Sequence, residues 1–121
     1  MRKKNYKGRC EKQSLEKFTT ICKTYEPIQT AYAIKLSKQR DVMEIRCNVA
    51  LEDDCNEYMT DFVCTMSDGD LMVRECIANR MLSRPQMAAL LDRSRTYWLR
   101  RGVTNWGIVT NWGIVTDAAE E

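Results

Sequence analysis

The sequence predicts an α/β fold, a small mixed β-sheet built around a central antiparallel hairpin and flanked by helices. Three observations carry this expectation. Tyr58 to Cys76 holds two apolar, β-favouring runs, YMTDFVCTM and LMVREC, on either side of the turn SDGD, the strongest short-range signal for a hairpin. Pro85 to Arg101 carries Met87, Leu90, Leu91, Ser94, Tyr97 and Trp98 at helical spacing, and Gly102 stops the run. Read end to end, the chain gives helix, three strands, helix and strand, an order that calls for helices packed on a mixed sheet.

Taken in order, Met1 to Lys23 forms a basic arm with eight Lys or Arg against two Glu. It is either a phosphate-contacting extension or a solvated terminus. Pro27, set near a helix start with Thr24 available as a cap, opens a helix over about 26–38 with its apolar positions at Ile28, Ala31, Tyr32, Ile34 or Lys35, and Leu36. Val42 to Val49 is rich in branched residues and reads as the first strand; the acidic EDDCNE after it is a turn into the hairpin. ANRMLSRPQ reads as a connecting loop, and Pro85 sits well at a first helical position. Val103 to Val109 completes the sheet. TNWGIV at 104–109 is repeated letter for letter at 110–115, so that one copy joins the sheet and the other is either an added segment or its hairpin partner. An acidic tail, 116–121, closes the chain, leaving 24–115 as the folded domain.

The totals narrow the chemistry. With 121 residues, 44% hydrophobic and 30% charged, the chain is long enough to bury one core and too short for two ordinary domains. No apolar run approaches a membrane span, and the first residues lack the apolar middle of a secretory signal, so a cytoplasmic location without membrane attachment is expected. Six cysteines occur without a CxxC pair, three of them within expected strands, which points to reduced thiols. Histidine is absent, which removes Ser-His and Cys-His nucleophiles and imidazole-ligated zinc. Carboxylates, lysine and thiols remain.

Two carboxylates interrupt the hairpin. Alternation puts Asp61 on one face with Met59, Val63 and Thr65, and Glu75 on one face with Leu71, Val73 and Ile77. One carboxylate per strand is a way to hold a divalent cation beside a phosphate; the alternative is a pair of solvated residues on a half-exposed sheet. On the second helix, Arg84, Arg93, Arg95, Arg100 and Arg101 leave one side strongly basic, either a solvated face or a surface for a phosphate backbone.

Read together, DVMEIRCNVAL, YMTDFVCTMSDGDLMVREC, LSRPQMAALLDRSRTYWLRRGV and NWGIV resemble the N-terminal endonuclease domain of TnsA-type transposase subunits, over roughly residues 24–115. The telling points are TDF at Thr60 to Phe62, the DG hairpin, and the RxYWLRRGV helix end running into WGIV. The resemblance implies a restriction-endonuclease-like fold and Mg²⁺-dependent cleavage of DNA strands at transposon ends, with Mn²⁺ as a substitute and with a partner transposase and an ATPase regulator. It assigns Asp61 and Glu75 as catalytic, metal-holding carboxylates, with Gln29 where the family has a helix Glu and Ile77 where it has a Lys. Arg80, Arg84, Arg95 and Arg101 are then the expected DNA-binding residues, and Arg80 or Lys35 the cations available in place of the missing Lys. Two altered positions of four give a second expectation: a nuclease fold that has lost catalysis and serves as a binding module, such as a mobile-element regulator or an inhibitor of another nucleic-acid enzyme. A third is an unrelated α/β domain with incidental carboxylates.

Overall fold

The computed structural model describes residues 11–51, 58–110 and 113–116. Its elements are β1 (Glu11–Gln13), β2 (Cys22–Thr24), α1 (Pro27–Ser37), β3 (Val42–Ala50), β4 (Met59–Met66), β5 (Leu71–Cys76), α2 (Asn79–Leu82), α3 (Pro85–Arg100), β6 (Asn105–Thr110) and β7 (Gly113–Thr116). The five strands β3-β4-β5-β6-β7 form a mixed sheet in that spatial order. β5 and β6 are parallel and the other neighbours antiparallel, while β1 and β2 pair separately.

The hairpin β4–β5 runs from Phe62↔Arg74 to Thr65↔Leu71 and turns where expected. Gly69, at φ +90, takes the left-handed step of the turn, and the Asp68 carboxylate accepts from Asp70 N–H at 2.9 Å, so both the glycine and its acidic neighbours are used. The parallel β5–β6 pair needs a crossover, and α2 with α3 supplies it.

Residues of β4 and β5 alternate between two cores, as the pleat requires. Val63 and Val73 join Ile77, Met87, Leu90, Leu91, Tyr97, Trp98 and Trp106 beneath α3. Phe62, Cys64 and Met72 join Tyr32, Ala33, Leu36, Val42 and Ile45 beneath α1. The helices therefore cover opposite faces. The apolar spacing of α3 is confirmed residue by residue, since Met87, Leu90, Leu91, Ser94, Tyr97 and Trp98 are the buried ones. Gly102, at φ +83, ends it: Gly102 N–H donates to Leu99 O and Val103 N–H to Trp98 O, both bonds of a Schellman motif.

Several expectations are corrected. Thr24 does not cap α1; its hydroxyl pairs with that of Thr30 at 2.6 Å, and the N-cap is Glu26 without a side-chain bond. Part of the basic arm is structured, because β1 and β2 form a strand pair and the segment between them docks on β3, with Thr19 N–H donating to Ile45 O and Ile45 N–H to Lys17 O. The expected loop 78–86 contains α2. Of the two readings of the hexapeptide, the hairpin is the one found: Gly107↔Thr116, Ile108↔Val115, Val109↔Ile114 and Thr110↔Gly113 pair a GIVT segment with its own copy. The first ten residues, the EDDCNE turn and the tail from Asp117 onward lie outside the described residues. Among those described, no helix is long and apolar enough to cross a membrane.

Candidate functional site

Gln29, Asp61 and Glu75 meet at the end of the hairpin ladder, in one chain of hydrogen bonds that crosses the sheet. Asp61 and Glu75 are each 0% exposed and Gln29 is 1% exposed. Continuing the register beyond Phe62↔Arg74 would set Asp61 opposite Glu75, but the ladder stops there and the side chains take over. Asp61 N–H donates to Glu75 Oε1 at 3.1 Å, and Cys76 N–H donates to Asp61 Oδ2 at 2.6 Å. Each carboxylate thus satisfies a backbone donor on the opposite strand, which a buried N–H requires.

From this point the two carboxylates reach toward opposite helices. Asp61 Oδ1 accepts from Gln29 Nε2 at 3.0 Å, on the α1 side. Glu75 Oε2 accepts from Ser94 Oγ at 2.6 Å, on the α3 side, and Ser94 Oγ in turn accepts from Trp106 Nε1 at 3.0 Å. Alternation from Phe62 and Val63 would send Asp61 toward α3 and Thr60 toward α1. The reverse is found, since Thr60 Oγ1 accepts from Trp98 Nε1 of α3 at 2.9 Å.

The irregularity coincides with Asn48. It lies between the pairs Cys47↔Phe62 and Val49↔Thr60, where it would face Asp61, yet it is missing from the ladder and has φ +54. Asn is among the few residues that tolerate this left-handed conformation. Its side chain is fixed at both ends: Oδ1 accepts from Gln29 Nε2 at 3.2 Å and Nδ2 donates to Lys23 O at 2.8 Å. Nothing in a strand-propensity reading of RCNVAL foretells this, although an Asn inside a run of branched residues is the one local sign.

Gln29 is oriented by the start of its own helix. Tyr25 N–H, which can only donate, lies 2.8 Å from Gln29 Oε1, so the carbonyl end faces the helix entrance and the NH₂ end faces Asp61 and Asn48. This variant of a capping box gives the third helical residue a structural task. Ile77 packs in the core under α3 and its N–H donates to Val109 O at 2.8 Å, which leaves no room for a water-orienting cation at that position.

In this arrangement the three side chains of Gln29, Asp61 and Glu75 are engaged with one another and with the backbone. Gln29 presents donors, where a metal ligand must offer a lone pair. The carboxylate oxygens accept protein hydrogen bonds, both groups are fully buried, and they extend to opposite faces of the sheet. Among the described residues no group of three or more His, Cys, Asp or Glu could hold a metal ion.

The arginines expected to bind DNA lie elsewhere. Arg80 is exposed on α2, and Arg84 and Arg101 are exposed at the two ends of α3. Arg95 is half-buried. Arg93, Arg100 and Arg101 line an open groove along α3 with Asp92, Thr96 and Tyr97. Arg101 stacks 3.6 Å from the centre of the Tyr97 ring and donates to Tyr97 O, so one guanidinium of the groove is held rigidly. This groove lies on the outer side of the helix whose inner side covers Glu75.

The four described cysteines are thiols in two different settings. Burial pushes the Cys64 thiol up to about 12 despite the neighbouring Arg74 guanidinium, and burial likewise pushes the Tyr32 hydroxyl to about 12. Cys22 and Cys47 face each other between β2 and β3, with their side chains in hydrogen-bond contact. Compared with known proteins, the chain matches no family model and no curated sequence.

Proposed function

We propose that the chain is a TnsA-like domain of the restriction-endonuclease-like fold that works as a DNA-binding module of a mobile element, its acidic pair turned from metal binding to holding the sheet together. The observation that supports this most is the closure of the pair: Asp61 and Glu75 are fully buried and bonded to Cys76 N–H, Gln29, Asp61 N–H and Ser94. Phosphates lying along the outer side of α3 would meet Arg93, Arg100 and Arg101 over its last two turns, roughly 12 Å. They would be separated by that helix from the carboxylates. Binding of this kind is driven by counterion release and positions a duplex without reading its sequence. A partner transposase and an ATPase regulator would then supply site choice and strand transfer.

A second reading, Mg²⁺-dependent strand cleavage at transposon ends, is favoured by one observation: Gln29, Asp61 and Glu75 still lie in one bonded chain at the end of the hairpin. One experiment separates the two. The purified protein is titrated with short duplex DNA over a range of salt and is incubated with supercoiled plasmid in Mg²⁺ or Mn²⁺. Binding that weakens steeply with salt, with each of Arg93→Ala, Arg100→Ala and Arg101→Ala shallowing the slope by about one, and no nicking, is the expected result. Nicking by the wild type that Asp61→Ala abolishes would replace the binding reading with the cleavage reading. Absence of both binding and nicking would overturn both.

A further inference from the structure

Cys22 on β2 is fully buried, whereas Cys47 on β3 is half-buried and within reach of a small molecule. The two sulfurs are in hydrogen-bond contact, and the next residues along each strand are also joined, since Asn48 Nδ2 donates to Lys23 O at 2.8 Å. Two strands from different sheets are therefore pinned at adjacent positions, with the thiols facing each other. We propose that Cys22 and Cys47 form a reversible dithiol–disulfide pair in which Cys47 is the nucleophile, Cys22 the resolving thiol, and a small-molecule disulfide of the glutathione class the oxidant.

The division of roles follows from the surroundings. The Cys47 sulfur is hydrogen-bonded with the Cys22 thiol, the Lys23 backbone N–H and its own backbone N–H, and faces the Lys23 ammonium. The Cys22 hydrogen bond lowers it below the ordinary thiol value; burial opposes this, and the backbone bonds and the Lys23 charge add to the lowering. Among the described residues, the titratable or charged groups facing it are Cys22 and Lys23, both on β2. Cys22 itself is raised, first by its bond with Cys47 and then by burial, so it stays a thiol until called on. A thiolate at the accessible position and a protonated partner behind it is the arrangement that makes one cysteine attack and the other resolve.

The steps balance. The Cys47 thiolate attacks one sulfur of the oxidant RSSR; that S–S bond breaks, a mixed disulfide forms on Cys47, and RS⁻ leaves. Cys22 then attacks the Cys47 sulfur and expels the second thiol, which takes up the Cys22 proton. Protein dithiol is oxidised to one disulfide, and RSSR is reduced to two thiols. The new bond would fasten β2 to β3 beside Lys23 and Asn48, whose contacts hold Gln29 against Asp61.

The test uses the full chain with Cys10→Ser and Cys55→Ser, treated with oxidised glutathione and mapped by peptide mass spectrometry. The expected product is a Cys22–Cys47 link reversed by dithiothreitol. Cys22→Ser should stop at a glutathione adduct on Cys47, and Cys47→Ser should give neither product. In the unsubstituted chain, short iodoacetamide pulses should label Cys47 before Cys64 or Cys76, with a half-maximal rate below the ordinary thiol value. A first adduct on any other described cysteine, a half-maximal rate near the ordinary thiol value, or a stable Cys47 adduct that Cys22 never resolves would overturn the proposal.

Discussion

Removing the Ser94 hydroxyl should destabilise the protein out of proportion to its size. Ser94 is fully buried, and its oxygen works in both directions, donating to Glu75 Oε2 at 2.6 Å and accepting from Trp106 Nε1 at 3.0 Å. A hydrogen bond contributes about 0.5–1.5 kcal/mol, and a buried donor stripped of its acceptor costs about 1–3 kcal/mol. The two losses share one atom and do not simply add, so Ser94→Ala should cost about 2–4 kcal/mol, a large part of the ~5–15 kcal/mol that holds a domain together. Urea unfolding at pH 7, followed by far-ultraviolet circular dichroism so that the tryptophans are not the probe, reads the change. Thr96→Ala, in the same helix but half-exposed, is the control and should stay within about 0.5 kcal/mol. Combining Ser94→Ala with Trp106→Phe should give a coupling energy above about 0.5 kcal/mol, because the second change removes the donor that the first leaves stranded. A Ser94→Ala loss no larger than the control, or zero coupling, would refute the claim that this chain of bonds ties α3 to β5 and β6.

Asn48→Ala should cost about 1–3 kcal/mol, since it removes the bonds to Gln29 and Lys23 and leaves a Cβ at φ +54; Asn48→Gly should cost less, and equal losses would show that the backbone there is unstrained. Leu91→Ala, in the core under α3, should cost about 2–5 kcal/mol in the same unfolding assay, and a loss in the surface range would mean the helix faces the other way. Stability should fall at alkaline pH. Cys64 rises from 9.0 to about 12 and Tyr32 from 10.0 to about 12 on folding, so the unfolded chain ionises first. Their contribution is whole below pH 9 and is lost through pH 12 at up to about 1.4 kcal/mol per unit per group. Unfolding titrations that are flat from pH 9 to 11 would contradict that burial. Ile77→Lys should destabilise by several kcal/mol, because an ammonium is forced into the core under α3, and should therefore fail to create nuclease activity; a stable, nicking variant would contradict that placement.

What sequence reasoning captured depended on how local the signal was. α3 was legible because its buried residues recur at helical spacing and its end carries Gly102, and β4–β5 because Gly69 supplies the turn conformation between two apolar runs. β1 and β2 were missed because EKQ and CKT are three-residue strands in a basic stretch, stabilised by pairing and by docking on β3, with no periodicity to detect. Gln29, Asp61 and Glu75 lie together in one bonded chain, but its geometry was not legible: the break in alternation at Asp61 coincides with Asn48 at φ +54, and Gln29 is oriented by a backbone N–H. Ser94 stood in plain view as a polar residue on an apolar helical face. Its meaning required Glu75 and Trp106, which only the sheet order brings together.

The duplicated hexapeptide leaves the sheet with two candidates for one slot. β6 is held beside β5 by the first copy, and Trp106 from that copy reaches Ser94. Trp112 stands at the same place in the second copy, so a chain shifted by one repeat would offer β5 and Ser94 the same residue types. Sliding the chain by one repeat would lengthen the connection after α3 by six residues, and doubling a loop adds only about 0.6 kcal/mol of closure entropy. The β6–β7 ladder, with four residue pairs that exist only when the first copy occupies the slot, is what separates the two arrangements. Deleting the second repeat would therefore remove the alternative register and the β7 ladder together.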